Sequence, residues 1–516
     1  IRTVRQWGVF RGHLGQGGKD RHLKGEHLKR GDLKDGSADP GGYRERFETY
    51  RDILSERLDC SSAIRRLEQE KNLPDPARLY LYGFVPAILD FTDWTLKQAI
   101  RTGKQRLYFL SRDGWQMYLT ALYLTRKRKL PIECRYLHVS RYCLRLPEYH
   151  LDFRQGMDKM CVGGIDVTLE RILKRGGLTK EEAEEIAGRM GWQDRYREIL
   201  NYRQVLELKQ TLLGQEKLQE YIKKHSEHAY ESTMGYLEQE GLLSDIPYAI
   251  VDSGWVGTLQ QSLQTLVHSQ RPDISVEGYY FGLYELPGEA DPDAYHGFYF
   301  TPCTGLRRKA HFCNSLFEAV CSAEGGMTVG YIRKENRFVP VSEPSGNPNK
   351  EQLQRNQEAL REFLACYGGE NSQNADQHGS AILERLFAKL MARPAELEVE
   401  AFGNNLFSDD VRETSLKRVA AKLTEGEIRN QRFLNRLLIM AGIKKGTIHE
   451  SAWIEGSIVK CGMQEEESET AVRKNLRHAC LYKYIVYGRK QIRSWAAAKR
   501  KRNRNKRYAF CWKEGL

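Results

Sequence analysis

The feature that most restricts this chain is the stretch from Tyr248 to Leu263, where a short apolar run gives way to an acid, two glycines and a helical repeat. Tyr248-Ala-Ile-Val251 carries no charge on either alternating face, so as a strand it is buried on both sides, the pattern of a central strand in a parallel sheet. Asp252 stands at the carboxyl end of that strand, and Gly254 and Gly257 permit a positive φ or a close backbone approach. From there Val256, Leu259, Leu263, Leu266 and Val267 recur at helical spacing and make one stripe. The unit reads as strand, acid, glycine-containing loop, helix. Such a loop offers free N–H groups and the positive end of a helix dipole, which suit a phosphate or carboxylate. An ordinary βα turn has the same pattern, so one loop alone does not decide for a ligand.

Two further stretches end in the same way. Leu107-Tyr-Phe-Leu110 is followed by Ser111, Arg112, Asp113 and Gly114, then by a helical pattern; Cys134 to Ser140 reads as a third strand and runs into Arg141. In an open parallel sheet the carboxyl ends of the strands share one edge, and ligands bind there. The expected catalytic acids are Asp113 and Asp252, able to meet sugar hydroxyls or a water-bound Mg²⁺. The expected ligand- and phosphate-binding residues are Ser111, Arg112, Gly114, Arg141, Ser253, Gly254, Gly257 and Thr258. The competing reading is a set of structural salt bridges among the same groups. No residues are assigned to a protein-held metal, because the spacing of Cys303, His311, Cys313 and Cys321 fits no zinc finger or ribbon.

The rest of the chain supplies the surroundings. Residues 1–45 are rich in Gly, Lys, Arg and His without a sustained pattern and read as a disordered basic segment. Residues 46–341 read as an α/β domain with further strands over Ile274–Tyr284 and Tyr295–Phe300. A helical insertion at about 150–245 includes a capping box at Thr179–Glu182. Residues 350–488 read as a helical C-terminal region, and 489–516 as a basic tail. The fold expected is α/β: an open, mainly parallel sheet with helices on both faces, of phosphoribosyltransferase-like or Rossmann-like type.

Charge is concentrated at the ends. The chain of 516 residues has a formal net charge of +13, but Arg489–Arg507 holds ten Lys or Arg and no acid, and residues 1–34 carry +6, which leaves the body near −3. The body therefore gives no electrostatic reason to expect a nucleic-acid groove. The tail is suited to weak binding of anionic lipid or nucleic acid. Eleven scattered Cys without a Cys-x-x-Cys pair suggest reduced thiols and a cytoplasmic protein, its tail able to meet the inner membrane surface. The first residue is Ile, which leaves open that the chain is a fragment.

Gly83-x-x-Pro86, the run to Trp94, Tyr108-Phe-Leu-Ser-Arg-Asp-Gly114, Val139-Ser-Arg141 and Val251-Asp-Ser-Gly-Trp-Val-Gly-Thr258 together resemble one region of certain large bacterial proteins. These are described as predicted hydrolases of the haloacid dehalogenase-like (HAD) superfamily and occur with surface-polysaccharide biosynthesis. The resemblance covers roughly residues 80–335. It implies a phosphorylated sugar or nucleotide-sugar as ligand and a glycosyltransferase as a possible partner. In that group the matched region follows a HAD domain whose strand ends in Asp-x-Asp, one Asp being the nucleophile. Residues 1–80 hold no such strand, and neither Asp113-Gly-Trp115 nor Asp252-Ser-Gly254 is Asp-x-Asp, so HAD chemistry is not expected of these residues. A second, weaker likeness is to phosphoribosyltransferases, which implies an enzyme using Mg²⁺; here Ser253 stands where their second loop acid is expected. A non-catalytic scaffold for a glycosyltransferase is the remaining alternative.

Overall fold

A computed structural model describes residues 42–513 except 163–166, 289, 345, 369–374, 409–415 and 466–467, with side chains omitted at 375–379 and from 501 onward. The basic segment of residues 1–41 thus lies outside the described residues; a helix begins at Tyr43.

Five strands form the central sheet: β1 (Arg106–Leu110), β2 (Glu133–Leu137), β3 (Tyr248–Trp255), β4 (Glu277–Leu283) and β5 (Tyr295–Phe300). Their order is β2-β1-β3-β4-β5 and every pairing is parallel. The expected open sheet with helices on both faces is what the chain forms. Period-two alternation explains why. Leu107, Phe109, Ala249, Val251, Tyr279 and Phe281 face one core, with helices Val85–Arg101, Trp115–Arg128 and Asn314–Cys321. Tyr108, Leu110, Tyr248 and Ile250 face another, with helices Arg141–Leu151, Glu216–Glu240 and Thr258–His268.

The helical insertion between β2 and β3 has its own small core around Met160, Leu173, Ile186, Leu212 and Ile222. Its capping box forms: the Thr179 side chain accepts from the Glu182 N–H, and the Glu182 side chain accepts from the Thr179 N–H. The insertion starts earlier than expected, because the strand read as Cys134–Ser140 stops at Leu137 and Ser140 caps a helix that opens at Arg141. An antiparallel hairpin, β6 (Thr328–Lys334) and β7 (Arg337–Ser342), packs on helix Glu216–Glu240 and has no counterpart in the sequence reading. Its turn uses Glu335 at φ 54° instead of a glycine, so the usual hairpin signal is missing.

The C-terminal helices share the larger core with the sheet. Leu360, Phe363, Phe387, Leu390, Trp453 and Ile458 are buried in the same cluster as Phe109 and Val251. The segment between the α/β and C-terminal regions is docked: the Asn347 amide donates to the Ala323 carbonyl at 3.0 Å. Trp453 is fully buried and its indole N–H donates to the Met391 carbonyl at 2.7 Å. Trp453→Ala is expected to cost about 3–5 kcal/mol and, because the core is shared, to speed hydrogen exchange in β1 and β3 as read by mass spectrometry. Unchanged exchange in those strands would mean the C-terminal helices fold apart from the sheet.

Candidate functional site

The chain leaves β1 through helix Trp115–Arg128 on one face of the sheet and leaves β3 through helix Thr258–His268 on the other. The carboxyl ends of β1 and β3 therefore flank a topological switch point, the crevice where open α/β sheets bind ligands. Asp113 and Asp252 meet at that crevice.

The loop after β1 is tightly wound. The Gly114 N–H returns to the Leu110 carbonyl at 2.9 Å, and a Cβ on Gly114 would lie 2.5 Å from that oxygen, so only glycine fits. The Arg112 carbonyl accepts the Trp115 N–H at 3.2 Å and the Ala323 N–H at 3.1 Å, which ties this loop to the end of helix Asn314–Cys321. The Asp113 carboxylate accepts two hydroxyls, from Ser253 at 2.9 Å and Ser322 at 3.2 Å. One side chain thus joins β1, β3 and the end of that helix.

The strand read as ending at Val251 continues to Trp255, because Gly254 and Trp255 stay in register with Gly282 and Leu283 of β4. Gly254 has φ 107°, and a Cβ there would meet the Gly282 carbonyl at 2.6 Å. The helix accordingly opens at Thr258 instead of Val256. The N–H groups of Ser253 and Gly254, expected to cradle a ligand, favour the charged form of Asp252 instead. Gly257 caps the helix at φ 71° beside the Tyr295 ring, and the Thr258 hydroxyl has no hydrogen bond among the described residues. Ser111 is occupied too: its hydroxyl donates to the Val139 carbonyl at 2.7 Å and accepts the Val139 N–H at 3.0 Å, fastening β1 to the segment after β2.

Two groups of the site were not foreseen, Glu318 and Ser322. Phe317 anchors their helix on the sheet, its ring 4.7 Å from that of Phe281. Glu318, the next residue, turns into the cleft and accepts the Trp255 indole N–H. The legible signal was a single acid inside the apolar run Leu316–Cys321.

Three carboxyls and one guanidinium share this space. Burial and the negative charge of Asp113 push Asp252 up to about 7. The same two causes push Glu318 up to about 8, with Asp252 adding to them. Arg141, exposed at the first turn of its helix, opposes both shifts with its positive charge. Carboxyls that titrate near neutrality can give or take a proton at physiological pH. One turn along from Arg141, Arg145 makes no hydrogen bond or ion pair among the described residues, and with Tyr142, Tyr149, Lys159 and Arg175 it lines a small cavity. A more open cavity of about 640 Å³ lies elsewhere, at the amino ends of the strands by Lys104, Gln105, Pro131 and Ile246; it contains none of these groups.

Oxygen donors are the right chemistry for Mg²⁺. Each Asp113 oxygen accepts one hydroxyl, which leaves it a further lone pair, and among the described residues no three His, Cys, Asp or Glu are grouped to hold an ion. The Ser253 hydroxyl is committed to Asp113. Neither protein-family models nor curated proteins gave a match to this chain.

The raised carboxyls make a signed prediction. The folded protein holds protons at Asp252 and Glu318 that the unfolded chain releases near pH 4. Their stabilising contribution is complete below about pH 4 and is lost as pH rises through about 7 to 8. Urea unfolding from pH 5 to 8.5 should show stability falling with pH. Asp252→Asn should flatten that slope, by up to about 1.4 kcal/mol for each step of one in pH. Equal slopes for both proteins would contradict the assignment.

Proposed function

We propose that the switch-point cleft binds a phosphorylated sugar or nucleotide-sugar, as expected of a protein that works in surface-polysaccharide biosynthesis. The observation that supports this best is the convergence of Asp113, Asp252 and Glu318 with Arg141 at the ends of β1 and β3. Carboxyls accept from sugar hydroxyls, and a guanidinium offers a planar pair of donors to a phosphate. The site separates these roles: the acids lie at the strand ends, while Arg141 stands exposed at the first turn of the helix beside them. Arg112, whose backbone fixes the loop, stands on the neighbouring strand end.

In this reading Asp113 is the fixed anion that orients hydroxyls, held by Ser253 and Ser322. Asp252 and Glu318 are the proton-exchanging pair. If the chain is an enzyme, proton transfer and charge stabilisation at the sugar are what these groups supply. No covalent HAD-type step is included, because Asp-x-Asp is absent from the site. The purified chain is therefore expected to lack ordinary HAD phosphatase activity on small phosphate esters.

The test is calorimetric titration of the full chain with sugar phosphates, nucleotide sugars and phosphoribosyl pyrophosphate, with and without Mg²⁺. At least one sugar phosphate or nucleotide sugar should bind without Mg²⁺, and Arg141→Ala should weaken it about tenfold to a hundredfold, the worth of a charged hydrogen bond. Binding of phosphoribosyl pyrophosphate alone, dependent on Mg²⁺, would favour the transferase alternative. No binding across the panel would favour the scaffold.

A further inference from the structure

Helix Phe433–Met440 buries none of its residues, although its sequence is Phe-Leu-Asn-Arg-Leu-Leu-Ile-Met. Leu434 is 67% exposed, Leu437 and Leu438 are also exposed, and Ile443 just beyond is 75% exposed. An apolar helix lying on a surface normally buries its stripe. Contiguous exposed patches of this kind mark an interaction site.

The neighbouring element carries the complementary feature. Helix Glu469–Lys513 spans 45 residues, about 68 Å at 1.5 Å per residue. The apolar helix packs on its first half: the Arg436 guanidinium lies 4.2 Å from the Tyr482 ring centre, and the Arg432 guanidinium donates to the Asn475 side chain at 2.9 Å. Leu481, beside Tyr482, and Ile492 and Trp495 further along recur at helical spacing and are exposed, Ile492 at 69% and Trp495 at 57%. This is where the run of ten basic residues without an acid begins. Lys444 and Lys445 flank the apolar helix itself, and both are exposed.

We infer that helix Phe433–Met440 and the stretch Leu481–Arg500 of helix Glu469–Lys513 form one docking surface for an anionic lipid bilayer. Leu434, Leu437 and Ile443 enter the acyl boundary, while the lysines and arginines stay at headgroup level. Exposed aliphatic residues beside Lys444 and Lys445 match an interfacial helix, in which an apolar face inserts and basic side chains meet acidic lipids. A polynucleotide would use the charge and leave the leucines in water. Protein–protein interfaces are depleted in Lys. Insertion is superficial, since no helix among the described residues is long and apolar enough to cross a membrane. The inference is independent of the sugar-phosphate reading.

The test is co-sedimentation of the full chain with vesicles of phosphatidylcholine alone and of phosphatidylcholine mixed with phosphatidylglycerol. The wild type should bind the anionic vesicles only. Leu434→Glu with Leu437→Glu should lower that binding about tenfold or more while leaving the thermal transition in place, since both side chains are already exposed. Lys444→Glu with Lys445→Glu should reduce it most at low salt. Failure of the wild type to bind anionic vesicles overturns the inference, as does full binding by the double-leucine variant. Loss of a wild-type dimer in that variant, without vesicle binding by either protein, assigns the surface to a second copy. Retention of duplex DNA by both, again without vesicle binding, assigns it to a polynucleotide; both outcomes overturn the lipid assignment.

Discussion

The site depends on the parallel pairing of β1 with β3, which sets Phe109 beside Val251 and carries their two acids to the same edge. Neither acid would find the other if the strands were separated by one position in the sheet. Because the chain turns to opposite faces after these strands, no crossover helix fills the space above them. The hydroxyl bridge from Ser253 to Asp113 at 2.9 Å then holds the two strand ends at a fixed separation. Burial on both faces leaves those backbones little freedom, so the polar ends inherit the rigidity of the core.

Electrostatics follow from that geometry. Asp252 and Glu318 cannot ionise cheaply in this space, and their shifts trace to burial and to the negative charge of Asp113. Arg141 is the countercharge, and it stands at a helix start that Ser140 caps by accepting the Cys143 N–H at 3.1 Å. Serines at 140, 253 and 322 thus set where the charges lie without carrying any. A sugar phosphate would bring hydroxyls to the acids and an anion to the arginine, satisfying both halves of the site.

The sheet was legible because its strands announce themselves. Tyr248–Val251 and Leu107–Leu110 are too short and too uniformly apolar for an exposed element. The convergence of Asp113 with Asp252 followed from strand ends sharing an edge. What was not legible depended on partners remote in sequence. Trp255 remains in the strand only because β4 pairs with it, and propensity in Ser-Gly-Trp cannot reveal that. Glu318 reaches the cleft because Phe317 packs on Phe281, a contact between distant segments. Ser111 reads as a ligand group, and its hydroxyl also fastens β1 to Val139, just past the end of β2, a pairing its sequence neighbours do not reveal. The docked segment at Asn347 reads as polar and therefore loose, although its amide is bonded beside the site.

The most direct measurement is the titration of the carboxyls themselves, by carbon NMR of labelled Asp and Glu side chains in the folded chain. Two carboxyl signals should titrate near neutrality, about pH 7 and about pH 8, one disappearing in Asp252→Asn and the other in Glu318→Gln. Each should also move when a sugar phosphate is added. If the signals of Asp252 and Glu318 titrate below about pH 5, the ordinary carboxylate range, these acids do not share a cleft with Asp113 and the account fails.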